Sequence, residues 1–139
     1  PFFASWKGNI AKGSTSNELG MLMDLLPAFC EVAEKEMKHP IDGTSLLPTF
    51  MGEEQAMDER YLFCVRREGW PYGGQAYYAA RYKGLKILQN SAYEPIQFFN
   101  IEEDMLEVNP LETEDNEDFQ ALRKALQKHI QKTGAVPWQ

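Results

Sequence analysis

The chain of 139 residues is 43% hydrophobic and 12% aromatic and carries a formal net charge of −7, a composition that can bury a core and excludes wholesale disorder. The acidity excludes general nucleic-acid binding, which needs a basic surface to displace counterions from phosphates. No apolar run approaches the ~18 residues needed to span a bilayer, and no basic segment followed by a hydrophobic stretch marks a signal peptide.

The chain begins at Pro1-Phe2-Phe3 rather than at Met, as though entered in the middle of a strand. Phe2 to Trp6 alternates weakly and precedes Lys7-Gly8-Asn9 and Lys12-Gly13-Ser14, which predicts a short strand running into a turn-rich loop. Glu18 to Met23 is expected to be extended. Asp24 is placed to cap a helix whose first turn accommodates Pro27, with Leu25, Phe29, Val32 and Ala33 as its core face up to about Lys35. His39-Pro40 and Asp42-Gly43 break the chain, and Ser45 to Phe50 suits one or two helical turns. Gly52 to Glu59 then reads as an acidic loop.

Four strand-like runs follow: Arg60 to Arg67, Gln75 to Tyr82, Leu85 to Gln89 and Ile96 to Ile101. Both alternating sets of the first run are largely apolar, which predicts a central strand covered on both faces. Lys83-Gly84 predicts a tight antiparallel turn. From Asp115 the pattern is helical, with Phe119, Leu122, Leu126 and Ile130 in one stripe, acids at the start, bases towards the end, and Gly134 and Pro137 as stops. The fold class is therefore α+β: a four-stranded antiparallel sheet with a packed C-terminal helix, preceded by a strand and a helix of another layer.

Charge is unevenly spread. Between Arg60 and Asn90 stand Arg60, Arg66, Arg67, Arg81, Lys83 and Lys86 against the single acid Glu68, whereas Ser91 to Asp118 contains no Lys or Arg. A basic sheet beside an acidic connection is expected.

Few residues invite chemistry. Cys30 and Cys64 lack metal-ligand spacing and are expected as buried free thiols. His39 and His129 have no Cys or His nearby, and Ser14 to Ser16 and Ser45 lack a nucleophile-elbow context. Glu102, Glu103, Asp104 and Glu107 lack the glycine and spacing of an EF-hand and read as a solvated turn. The segment Trp70-Pro71-Tyr72-Gly73-Gly74 stands apart. Aromatic rings stack on sugar faces and Arg and Gln donate to sulfate or hydroxyl oxygens, so Arg66, Arg67, Trp70, Tyr72 and Gln75 form the candidate substrate-binding set.

Six blocks carry a family likeness. Pro1 to Gly8 with Ile10, Gly13 and Ser16 resembles a strand leading into W-P-G-x-I-x-x-G, with Lys7 in the place of Pro. Met23 to Phe29 is similar to D-L-x-P-T, and Asp42 to Pro48 to D-G-x-S-L-x-P. Tyr61-Leu62-Phe63 and Ala79 to Ile87 resemble an aromatic strand and A-V-R-x-G-x-W-K-L. Phe99 to Glu107 is similar to L-Y-D-L-x-x-D-P-x-E, with Met105 in the place of Pro. In this order the blocks resemble the C-terminal portion of type I, formylglycine-dependent sulfatases of the alkaline phosphatase superfamily.

The resemblance implies residues 1–52 as the tail of a larger α/β domain and 53–139 as the C-terminal antiparallel-sheet subdomain. It implies that the catalytic residues, the formylglycine made from a C/S-x-P-S-R motif and the calcium ion belong to an N-terminal part preceding Pro1. This chain would then hold no catalytic residue, metal ligand or cofactor and would be inactive alone. The implied partners are that N-terminal domain and a sulfated small molecule or glycan, with self-association through apolar surface left uncovered. A periplasmic or extracellular location follows from the same likeness. Two other readings remain: an anionic-glycan-binding module using the basic sheet and its aromatic tip, and part of a phosphate or phosphonate ester hydrolase.

Overall fold

A computed structural model describes residues 2–67, 76–91 and 93–134. They fall in two compact units, Pro1–Met57 and Asp58–Gln139.

In the first unit the strand expected over Phe2 to Trp6 does not form. A strand needs a neighbour for its backbone groups, and none is present among the described residues. The segment instead turns at Trp6, whose carbonyl accepts the amides of Asn9 and Ile10 at 3.0 and 2.9 Å. The Phe2 ring stacks on Phe50 with centroids 5.9 Å apart. Glu18 to Met23 is not uniformly extended either, because Leu22–Asp24 forms a 3₁₀ turn that leads into α1 (Leu25–Val32).

Helix α1 differs from expectation at both ends. Asp24 is its N-cap residue but makes no side-chain capping bond. Its carboxylate accepts the Met21 amide at 2.6 Å and the Thr44 amide at 2.9 Å, from a fully buried position. The helix stops at Val32 rather than Lys35. The amide of Lys35 reaches back to the Cys30 carbonyl at 2.9 Å and that of Glu34 to the Glu31 carbonyl at 3.0 Å, while Glu34 takes the left-handed conformation, φ 52°. These are the two bonds of a Schellman stop, made here around a glutamate rather than the usual glycine.

The expected core face of α1 is also displaced. Ala28 is buried, whereas Phe29 is 62% and Val32 42% exposed and Ala33 is exposed. Periodicity identifies an apolar stripe but not which part of it is covered. The core of this unit is small: Ala28, Leu46 and Met57, with Leu25, Leu47 and Phe50 against it. Helix α2 (Leu47–Phe50) forms where expected.

Polar side chains bind the loops of this unit together. The Glu18 carboxylate accepts the amides of Gln55 and Met57 at 3.1 and 3.3 Å. Gln55 accepts from the Thr49 amide at 3.0 Å and donates to the Ser45 carbonyl at 3.1 Å, and the Ser45 hydroxyl donates to Glu31 at 2.6 Å.

The second unit is the expected sheet and helix. Strands β1 (Leu62–Arg67), β2 (Ala76–Tyr82), β3 (Leu85–Gln89) and β4 (Gln97–Asn100) pair antiparallel in the order β1-β2-β3-β4. The β2–β3 turn is Lys83-Gly84, with Lys83 in the left-handed region at φ 52°. Helix α3 (Glu117–Gly134) opens at Asn116, whose side-chain oxygen accepts the Phe119 amide at 3.0 Å, satisfying an otherwise unpaired helix N-terminal donor. Its stripe of Phe119, Leu122 and Leu126 is buried against Ala80, Ile87 and Phe98, with Ile130 packed alongside. Full burial of side chains such as Ile87, Phe98 and Leu122 stabilises the fold by about 1.5–3 kcal/mol each. Pro137, expected as a stop, lies outside the described residues.

The reading of β1 as a central strand is overturned: among the described residues it is an edge strand. Leu62 is buried, but Cys64 and Val65 are exposed, so Cys64 is not the buried thiol expected. An apolar run shows what a strand can bury, whereas neighbours decide what it does bury. Cys30 is half-buried, and both thiols are free.

Candidate functional site

Side-chain alternation divides the sheet into two faces. Phe63, Ala80, Ile87 and Phe98 are successive cross-strand partners and face α3. The other face carries the row Leu62, Arg81, Lys86, Phe99, then the row Cys64, Ala79, Leu88, Gln97, then Arg66 opposite Tyr77. Of the basic residues between Arg60 and Asn90, Arg66, Arg81 and Lys86 are thereby gathered on the face away from α3.

Arg81 and Lys86 lie directly opposite each other, an arrangement that is unfavourable for like charges unless each has other partners. Both have them. Arg81 donates through Nε to the Lys83 carbonyl at 3.2 Å. The Lys86 ammonium donates to both carboxylate oxygens of Glu107, at 2.6 and 2.7 Å, in a pair whose side chains are only 23% and 25% exposed. Glu107 itself sits in the left-handed region, φ 54°, in a loop shaped by Asp104, whose Oδ2 accepts the amides of Val108 and Asn109 at 2.8 and 2.7 Å. The acidic cluster is thus a pinned loop rather than a purely solvated one, and the basic sheet and acidic connection meet through Lys86 and Glu107.

At the turn, Lys83 pairs with Glu59 at 3.2 Å and lies 5.6 Å from the centre of the Tyr82 ring. The hydrogen bond to Glu59, with the charge of the same carboxylate, raises the Lys83 pKa above 10.5. His129 stacks on Phe63 with centroids 4.2 Å apart and planes at 12°, which makes it a packing residue of the α3 face.

Among the candidate substrate-binding residues, Arg66 is exposed near the end of β1, and the ladder closes on the Arg67–Ala76 pair. Trp70, Tyr72 and Gln75 lie outside the described residues. The described part of the set is therefore Arg66, with Tyr77 as its cross-strand partner, and the backbone of Arg67 at the end of β1. Among the described residues no group of three or more His, Cys, Asp or Glu is arranged to hold a metal ion. None of their helices is long and apolar enough to cross a membrane.

Sequence reasoning missed the Lys86–Glu107 pair, although both residues stand inside the similarity blocks, and it missed the role of Asp24. In each case the block marks a charged residue that holds a distant segment, Lys86 through the Glu107 carboxylate and Asp24 through the Thr44 amide. A lone Lys or Asp in a pattern does not reveal its partner.

No protein-family model matches the sequence. The chain is 39% identical over 66 residues to an ulvan-active sulfatase of Formosa agariphila and 41% identical over 70 residues to the N-acetylgalactosamine-6-sulfatase of Mus musculus. Each match takes in 48% of this chain and 13% of the relative, so the chain spans only a small part of those proteins. In fold it is similar to the solved structure named Ps i-CgsB, with a TM-score of 0.75 and 22% identity over 89% of this chain and 27% of that one. The solved structure of a 2-O GAG sulfatase gives a TM-score of 0.63 and 23% identity over 81% of this chain and 25% of that one. A phosphonate monoester hydrolase of Silicibacter pomeroyi gives 0.55 and 19% over 78% and 24%. In sequence over about half its length, and in its sheet-and-helix fold, the chain matches the C-terminal part of sulfatases.

Proposed function

We propose that this chain is the C-terminal portion of a sulfate-ester hydrolase acting on a sulfated saccharide, in which it braces the fold and lends one wall of the substrate cleft. The observation that carries this reading is the 39% identity over 66 residues to a sulfatase, supported by a second match to a saccharide sulfatase. The reaction belongs to groups outside this chain: a formylglycine nucleophile and a calcium ion that stabilises charge on the sulfate oxygens. This chain supplies Arg66 and Arg67, which suit sulfate or hydroxyl oxygens, and Trp70, Tyr72 and Gln75, which suit the sugar ring. A periplasmic or extracellular site goes with that reading.

The test is sulfate release from aryl sulfate and from sulfated galactose and N-acetylgalactosamine oligosaccharides by the longer protein, with the 139-residue chain assayed beside it. Turnover by the longer protein alone is expected. Turnover by the short chain would overturn its non-catalytic role, and failure of the longer protein on every sulfate ester would overturn the reaction class.

The fold similarity to a phosphonate monoester hydrolase supports a second reading, hydrolysis of a phosphate or phosphonate ester on the same framework. Comparing kcat/KM for aryl sulfate and aryl phosphonate in the same preparation separates the two.

A further inference from the structure

Four rings form a continuous row beside the start of β1. Tyr82 stacks on Tyr61 with centroids 4.6 Å apart and planes at 24°. Tyr61 lies beside Phe63 at 6.2 Å and 14°, and Phe63 carries the His129 ring at 4.2 Å. The row is held at both ends. His129 belongs to α3, and the Lys83 amide donates to the Asp58 carbonyl at 3.0 Å, tying the segment ahead of Tyr61 to the β2–β3 turn. Phe63 and Tyr82 pack against the core of the second unit, whereas Tyr61 is 40% exposed. Cross-strand rings stand side by side, so a ring on an edge strand has a strand neighbour on one side only. Tyr82 takes that side of Tyr61, and among the described residues no strand pairs with the other edge of β1.

The surroundings of Tyr61 decide what suits it. At the Tyr82 end of the row the Lys83 ammonium and the Glu59 carboxylate pair at 3.2 Å, with side chains 49% and 58% exposed. The centre of a protein–protein contact is depleted of Lys and Glu, and a partner protein stacked on this row would have to bury both. A pyranose has no such cost. Its C–H face stacks on an aromatic ring while its hydroxyls donate to a carboxylate and accept from an ammonium.

We infer that Tyr61, with Lys83 and Glu59, forms a second saccharide-binding site, which stacks a pyranose unit of a polymeric substrate apart from the cleft where the ester is cleaved. The inference rests on the reading of the chain as part of an enzyme acting on a sulfated saccharide. Its site is separate from the candidate substrate-binding set. Tyr61 lies with Phe63 on the side towards α3, whereas Arg66 is on the opposite face, roughly 17 Å further along at the usual strand rise. Such a site retains the polymer and leaves the bond-breaking step untouched.

The experiment titrates a galactan hexasaccharide, sulfated and desulfated, into the longer protein as wild type, Tyr61→Ala, Tyr61→Leu and Tyr61→Phe. Galactopyranose is used because its axial hydroxyl leaves one face rich in C–H, and the desulfated form lacks the ester on which the cleft acts. Leu keeps apolar volume without a ring and Phe keeps the ring, so the two separate stacking from packing. Tyr61→Ala and Tyr61→Leu are expected to weaken both oligosaccharides roughly three- to tenfold and Tyr61→Phe less than about twofold, with KM for a monosaccharide sulfate unchanged. Wild-type affinity in Tyr61→Leu would overturn the inference, as would failure of the wild type to bind either hexasaccharide. A monosaccharide KM that rises with the hexasaccharide Kd would also overturn it, by assigning Tyr61 to the cleft. So would loss of self-association in Tyr61→Leu with an unchanged hexasaccharide Kd, because that assigns the ring to a second copy. Binding that depends on Tyr61 without sulfate release leaves the site standing and removes the hydrolase reading, whereas sulfate release with binding indifferent to Tyr61 does the reverse.

Discussion

The ammonium of Lys86, on β3, donates to both carboxylate oxygens of Glu107, in the loop that follows β4, at 2.6 and 2.7 Å. One strand of the sheet thereby holds a segment 21 residues further along the chain. Both partners are about three-quarters shielded from water, so removing either leaves a poorly solvated charge facing an apolar substitute.

Lys86→Met or Glu107→Leu should therefore each cost about 2 kcal/mol in urea unfolding. The double variant should cost clearly less than the sum of the two, because it leaves no unpaired charge. Strict additivity would show that the pair is not coupled.

Asp24 is fully buried and accepts two backbone amides, from Met21 and Thr44. Asp24→Ala should cost about 3 kcal/mol by stranding those donors, with the largest rise in hydrogen exchange at the Thr44 amide. Unchanged exchange there would show that other bonds hold the segment.

Gly43 and Gly84 should respond differently to replacement by Ala. A Cβ at Gly43 would overlap the Met23 carbonyl oxygen, whereas one at Gly84 would meet the Glu102 side chain at 2.7 Å. Glu102 is exposed and can swing away, but the backbone around Asp24 cannot. Gly43→Ala should thus destabilise by about 1–3 kcal/mol and Gly84→Ala by less than about 1 kcal/mol, both read by thermal melts. Equal effects would contradict the assignment of the tight contact to backbone.

Glu59 raises the pKa of Lys83 above 10.5. A cation whose pKa is raised on folding contributes stability that is present below its unfolded value and is lost as pH rises through the folded one. The Lys83–Glu59 contribution should therefore be complete at neutral pH and fade above pH 10.5. In Glu59→Gln the Lys83 side-chain resonance should titrate at lower pH than in wild type. Coincident titration curves would remove Glu59 as the cause.

For the substrate-binding set, Trp70→Ala, Tyr72→Ala and Arg66→Ala in the longer protein should raise KM for a sulfated saccharide roughly 2- to 10-fold while leaving kcat nearly unchanged, the pattern of lost uniform binding. An aryl sulfate lacking the sugar should be affected less. Wild-type KM in all three would show that the strand end and its tip do not meet the substrate.

Sequence by itself determined the second unit well. Helix α3 was legible because Phe119, Leu122 and Leu126 recur at helical spacing and the opposite residues are charged. The strands were legible because short apolar runs are bounded by Gly, Pro and Asn, and Lys83-Gly84 fixed the β2–β3 hairpin. Tertiary structure alone decided that β1 lies at an edge, that Asp24 bonds across to Thr44 rather than capping α1, and that Glu107 is the partner of Lys86. It also decided that Phe29 faces a groove instead of a core. The physical reason is one of range. Periodicity and turn chemistry are properties of neighbouring residues, whereas burial, strand order and charge pairing depend on segments that meet only once the chain has folded.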